Sequence, residues 1–204
     1  MSLTIYGTAA SRAFRVLWAA RELDLAFTHV KHHFGGPEVK TPEFLAINPM
    51  GAVPAIVDDG FPMFESLAIN LYLAKKANRL WPATREGEGR VLQWTLFGAS
   101  EVEPLIGQWY AHVAYLPAER RKPELAQDAA GKLPRRLDAI EAGLATREWL
   151  ADETFSIADL NLASVLYRGP AFGLDRWPRL ADWHARCYAR PAARATVAER
   201  EARV

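Results

Sequence analysis

A single cysteine, Cys187, in 204 residues excludes an intrachain disulfide and any cysteine-based zinc cluster. The five histidines show no HExxH or comparable ligand spacing, the nearest thing to a cluster being the adjacent pair His32-His33, so no metal is expected. No apolar run approaches the length of a membrane span. A basic-then-apolar leader is also missing: MSLTIYG reads as a first strand, and a cytoplasmic location is the default expectation. Neither sign of charge is in excess. With 25 Lys and Arg against 24 Asp and Glu, net charge is +1 and the pI about 7.9, which leaves no electrostatic case for nucleic acid or an anionic membrane. Repeats and low-complexity tracts are absent. What remains is a half-hydrophobic chain with 24% charged residues, ordinary for a soluble protein of one large or two small domains.

Two halves differ in their local patterns. Residues 1–78 alternate strand and helix signals, the mark of an α/β unit. Leu3–Tyr6 reads as a strand, Gly7–Ala10 as a small-residue turn and Ser11–Asp24 as a helix with Val16, Ala19, Ala20 and Leu23 on one face. Ala26–Val30 returns to strand, and Thr41–Leu45 reads as a short helical turn. Residues 79–88 turn polar and are expected to be a linker. From 89 to 204 no convincing strand appears. Val91, Trp94, Gly98, Val102, Leu105, Trp109 and Val113 form one stripe of a long helix. Leu133, Leu137, Ile140 and Leu144 form a second, which Pro134 should kink or interrupt. Ser156 and Asp159 make an N-capping box ahead of a strongly apolar helix over 157–167.

The densest signal is NPMGAVPAIVDDGFPMFESLAI, Asn48 to Ile69. Asn48-Pro49 and Gly51 mark a turn. Val53–Val57 is a short strand, Asp59-Gly60 a hairpin signal and Phe61–Phe64 the return strand. Ser66 opens a helix, whose free N–H groups favour a carboxylate, while Glu65 could hold an ammonium group. A small zwitterion fits such a spot. Glu65 or Ser66 alone would read as no more than a helix cap behind a hairpin; the ordered string carries the ligand reading.

This string resembles the glutathione-binding half of the cytosolic glutathione transferases, specifically their serine-type (theta/phi/beta-like bacterial) classes. The resemblance extends over nearly the whole chain, through the capped helix at Ser156 and Asp159 and the pattern Trp183…Arg190-Pro191-Ala192. It implies a thioredoxin-like N-terminal domain and an all-helical C-terminal domain. It also implies a cis Val53-Pro54 bond and glutathione held by the Val53 backbone, by Pro54 and by Glu65 and Ser66. Lys40 would reach the glycyl carboxylate, with His32 and His33 as weaker alternatives. Asp159 is the family's structural residue, Cys187 a core residue, and a homodimer engaged in detoxification is expected.

Conjugation needs the glutathione thiol as thiolate, yet a free thiol sits near pKa ~8.5. A helix N-terminus and a donated hydrogen bond both favour the anion. Ser11 offers both and lies four residues before Arg15-Val16, the family's serine spacing. It is the expected thiolate stabiliser, with Tyr6 the rival and Thr8 a third hydroxyl in the same turn. With no cysteine in this turn, the redox and isomerase classes are disfavoured. An apolar acceptor pocket is expected between the first turn and the long helix, from Trp109, Tyr110, Tyr115 and Phe172. A non-catalytic or regulatory glutathione-binding protein, or a glutathione-dependent peroxidase or dehalogenase, remains the alternative.

Overall fold

The computed structural model describes residues 2–202. The first half follows the expected order: β1 (Leu3–Tyr6), α1 (Ala13–Glu22), β2 (Phe27–Val30), a 3-10 turn over Pro37–Lys40, α2 (Pro42–Ile47), β3 (Ala55–Asp58), β4 (Phe61–Phe64) and α3 (Ser66–Ala77). The strands lie in the order β2-β1-β3-β4, with β1 parallel to β2 and antiparallel to β3. Asp59 and Gly60 take φ of 49° and 87°, the left-handed pair that a two-residue hairpin requires between β3 and β4. Pro62 sits in β4, at the sheet's edge, where its missing N–H breaks no ladder.

Alternation along β1 sorts its side chains onto two faces. Leu3 and Ile5 enter a core with Val16, Leu17, Ala20, Leu23, Ile56, Ile69 and Leu73. Tyr6 joins a smaller cluster built on Val39, Phe44 and Ala55, with Ile47 and Val53 packed against it. Thr41 caps α2 by accepting from the Phe44 N–H at 3.3 Å, and Pro42 follows at the position where a helix tolerates it.

The second half is helical: α4 (Arg85–Phe97), α5 (Glu103–Tyr110), α6 (Pro123–Gly143), α7 (Ile157–Val165), α8 (Gly169–Phe172) and α9 (Pro178–Ala189), with α10 (Pro191–Glu201) closing the chain. Three expectations change here. First, the last four residues of the polar stretch 79–88 are helical, since α4 begins at Arg85 behind a Thr84 cap that accepts from Gly87 N at 3.0 Å. Second, the long stripe shifts register. Pro104 has no N–H to bond back to residue 100, and a five-residue π turn, Gly98–Val102, separates α4 from α5. The inserted residue rotates the following face, so Ile106 takes the buried position while Val113 is 45% exposed. Third, α6 runs unbroken through Pro134, with Leu133, Leu137 and Ile140 all buried along it.

The chain forms two compact units that are not simply its two halves. One runs up to Trp81 and takes back the segment from Ala189; the other is Pro82–Tyr188. The segment from Ala189 carries α10, which packs on α1. That cover explains why Ala13 through Ala20 are buried all round α1 where the sequence suggested a one-sided helix.

Within the helical unit, the capping box at the start of α7 is present and forms part of a larger network. The Asp159 carboxylate is fully buried and accepts four bonds: from Leu150 N at 2.9 Å, Ser156 N at 2.9 Å, Ser156 Oγ at 2.7 Å and Trp183 Nε1 at 2.9 Å. Burial pushes its carboxyl pKa up, and those four donors pull it back. Cys187 is buried, as expected of a core residue.

Candidate functional site

The site residues of the first unit fall into two groups that meet at Gly7. Asn48 shapes the loop before β3. Its side chain donates to Ala52 O at 2.7 Å and accepts from Met50 N at 3.0 Å, while Gly51 turns through φ of 57°. Val53-Pro54 follows and is cis. Glu65 is exposed and holds φ of 73° directly ahead of α3, a conformation uncommon outside glycine. Ser66, 4% exposed, is the first residue of α3, and its hydroxyl accepts from Arg15 Nη1 at 3.2 Å. The Asn70 side chain donates to the Arg15 carbonyl at 3.3 Å, so α1 and α3 are stitched together under the helix N-terminus. Lys40 is exposed and donates to Gly51 O at 3.1 Å, which places its ammonium beside the loop that leads to Val53.

The second group is the turn after β1. Ser11 does not open α1 as expected; it sits two residues before the helix, in a tight turn. Its Oγ donates to Thr8 O at 2.8 Å and accepts from Ala13 N at 3.1 Å. The hydroxyl thus receives an N–H from the first residue of α1. Its own proton rests on a backbone carbonyl and can be redirected by a rotation about the Cβ–Oγ bond. Thr8 Oγ1 is buried and has no hydrogen-bond partner among the described residues.

Tyr6 lies in a different setting. Its ring packs against His32 and Phe44, at centroid distances of 5.5 and 5.7 Å, on the sheet face covered by α2. His32 and Phe44 are also 5.3 Å apart, so the three rings form a box. His33 stacks on Phe34 and is exposed. Tyr6 and His32 thus share one aromatic cluster with Phe44.

Gly7 joins the two groups. It has φ of 122°, and a Cβ placed there would lie 2.8 Å from both Ala13 Cβ and Val53 Cβ. Only glycine allows β1, the start of α1 and Val53 to approach so closely. In the helical unit, the four aromatic candidates form one continuous chain of ring contacts. Phe172 meets Trp109 edge-on at 5.1 Å, Trp109 lies 6.4 Å from Tyr110, and Tyr110 lies 6.5 Å from Tyr115.

Family models match this arrangement along most of its length. Residues 1–75 match the glutathione S-transferase N-terminal domain, and residues 103–191 match its C-terminal domain. Glutathione S-transferase F9 of Arabidopsis thaliana is 30% identical over 98% of both chains. The chain belongs to the glutathione S-transferase family. Another relative of this transferase-family chain, elongation factor 1-gamma 2 of Oryza sativa subsp. japonica, is 33% identical over 83% of the chain, but the chain spans only 41% of that protein's length. Among solved structures, the glutathione transferase URE2P6 of Phanerochaete chrysosporium, in complex with oxidised glutathione, superposes with a TM-score of 0.85 at 28% identity, covering 97% of this chain and 96% of that one. Among the described residues no group of three or more His, Cys, Asp or Glu side chains is placed to hold a metal ion, and no helix is long and apolar enough to cross a membrane.

Two residues of this family member escaped the sequence reading as participants. Arg15 is 7% exposed, a guanidinium sunk behind Ser66. A charge inside the otherwise apolar run Ala13–Ala20 was the available signal. Arg168 lies with its guanidinium 4.0 Å from the Tyr110 ring centroid, a cation on the aromatic chain with no apolar signal in the sequence.

Proposed function

We propose that this protein binds glutathione in its first unit and transfers the glutathione thiolate to hydrophobic electrophiles. The supporting observation is the close approach of the start of α1, two residues after Ser11, to Val53 across Gly7. It brings a hydroxyl beside a helix start and a strand edge suited to a peptide into one neighbourhood. In this reading the Val53 backbone pairs with the cysteinyl unit next to Pro54, and Glu65 takes the γ-glutamyl ammonium. The carboxylate of that residue sits at Ser66 and the free N–H groups of α3, with the buried Arg15 charge behind. Lys40 takes the glycyl carboxylate by leaving Gly51 O.

Chemistry follows from one hydrogen bond. The thiol loses its proton to solvent, and Ser11 Oγ–H turns from Thr8 O to the sulfur. The Ala13 N–H continues to donate to the same oxygen. Lowering a thiol pKa by two units from ~8.5 corresponds to about 2.7 kcal/mol. A hydrogen bond to a charged group contributes about 1.5–3 kcal/mol, so Ser11 with the helix start is of sufficient size. The thiolate then forms a carbon–sulfur bond as the electrophile expels its leaving group with the bonding electron pair. Trp109, Tyr110, Tyr115 and Phe172 are proposed to receive the acceptor. A homodimer in the cytoplasm completes the reading by family analogy.

A second reading, a glutathione-binding protein without turnover, draws on the similarity to elongation factor 1-gamma 2. Calorimetric titration with glutathione, followed by conjugation assays on several electrophiles, separates the two. Absence of glutathione binding overturns both readings. Binding without turnover on any acceptor, including peroxide and haloacid substrates, overturns the transferase and favours the second.

A further inference from the structure

The turn that carries Ser11 is held from behind by the last helix. Arg200, near the end of α10, directs one guanidinium nitrogen, Nη1, at two carbonyls of that turn, Ala9 O at 2.7 Å and Ser11 O at 3.0 Å. The guanidinium also lies 5.3 Å from the ring centroid of Phe14, which is itself buried. A third carbonyl, Gly7 O, meets His29 Nε2 at 2.8 Å, and the other ring nitrogen of His29 lies 3.4 Å from Glu199 on α10. Glu199 pairs with Arg21 of α1, which donates to Thr196 Oγ1 at 2.8 Å. Three alternate carbonyls, at Gly7, Ala9 and Ser11, are therefore anchored by α10 directly or through His29. The carbonyl between them, Thr8 O, is the one that receives the Ser11 hydroxyl.

We propose that Arg200 is a positioning residue for Ser11: by bridging the Ala9 and Ser11 carbonyls it fixes the turn so that the Ser11 hydroxyl can redirect to the thiolate of glutathione. The proposal rests on the assignment of Ser11 as thiolate stabiliser. Its physical basis is the steepness of hydrogen-bond geometry, because a donor displaced by a fraction of an ångström loses much of its effect on a developing anion. A cation on the turn's carbonyls is also well matched chemically, since charge-assisted bonds are the stronger class. Charged groups at the turn include Arg12 within it, Arg21 from α1, His29 from β2, and Glu199 and Arg200 from α10, with Arg15 at the neighbouring Ser66.

The test is a double-mutant cycle of Ser11→Ala and Arg200→Met on the full chain. Each protein is read by ultraviolet titration of the bound glutathione thiolate and by the pH profile of kcat/KM with chlorodinitrobenzene as acceptor. R200M should raise the bound thiol pKa by about one unit and lower kcat about tenfold. The KM for glutathione should stay within about twofold. Arg200→Lys should restore most of the activity, because both carbonyls are reached from one nitrogen. In the S11A background R200M should add little, since its effect passes through the serine. A wild-type thiol pKa in S11A sinks the Ser11 assignment itself. An S11A protein with a raised pKa beside an R200M protein with a normal one overturns only the role of Arg200. Equal losses from R200M with and without Ser11 mark a purely structural residue and overturn it as well. If R200M fails to fold, Arg200→Gln, which keeps one amide donor, takes its place in the cycle under the same criteria.

Discussion

Replacing Asp159 with alanine removes the acceptor of four donors, and the size of the loss distinguishes a helix cap from a structural hub. A lost cap alone costs about 1 kcal/mol. Here Leu150 N, Ser156 N and Trp183 Nε1 would all be stranded in the interior, while the Ser156 hydroxyl can turn to another acceptor. A stranded buried donor costs about 1–3 kcal/mol, so three give about 3–9 kcal/mol. Relief from keeping a carboxylate out of water opposes this by several kcal/mol. The expected net loss is about 3–5 kcal/mol, the range for removing one side of a buried charged network. Asp159→Asn should rescue little. One carboxylate oxygen serves Leu150 N and Trp183 Nε1 and the other serves both groups of Ser156, so the amide NH2 faces either two N–H donors or the Ser156 N–H. Urea unfolding of the three proteins, compared at equal m-values, provides the measurement. A loss of no more than about 1 kcal/mol for D159A, or an Asn variant as stable as the parent, would refute the network account and leave only the cap.

Ser66→Ala and Ser11→Ala should fail in different ways. The first takes the hydroxyl from Arg15 at the helix start and should weaken glutathione binding about tenfold with kcat retained; the second should lower kcat with binding retained, as steady-state kinetics with calorimetry would report. Gly7→Ala should lose at least about 2 kcal/mol of stability together with glutathione affinity, because φ of 122° and two 2.8 Å approaches leave no room for a methyl group. A protein with unchanged urea midpoint would contradict that packing. His184, buried with its Nε2 3.0 Å from Leu166 O, has its pKa pushed down to about 4 by burial. Its folded pKa lies below the unfolded value of ~6.5, so the unfolded chain takes the proton first. Stability contributed above ~6.5 should fall by about 3 kcal/mol as the pH drops to about 4. The acid limb of urea midpoints should flatten in His184→Phe, and an unchanged limb would refute the assignment.

The parts that could be read from the sequence are those written locally. Asp59-Gly60 dictates its hairpin through backbone conformation, and the stretch from Asn48 to Ser66 keeps loop, strand edge and helix start in one contiguous string. The two-residue period of β1 gives its faces. What escaped depends on distance or on a single atom. Arg15 meets Ser66 across 51 positions and Trp183 meets Asp159 across 24, and no local pattern links either pair. The stripe on the long helix was read past Pro104 with an unbroken 3.6 period, although the missing N–H there forces a π turn and a new register. The grouping of α10 with the first unit carries no local signal, because α10 buries only Ala193 and Thr196, too little to distinguish it from any other helix of the second half.

The return of α10 to the first unit orders events during synthesis. Ser11 leaves the ribosome 189 positions before Arg200. At 5–20 residues per second that interval is about 10–40 s. Through it, α1 lacks the helix that covers Phe14, and its uncovered apolar surface is a ready target for chaperones. A chain cut before Pro191 would carry every residue that touches glutathione in the proposed complex and still hold them on an unfinished frame. The Ser11 turn thus gains its two Arg200 contacts only after translation has passed α10.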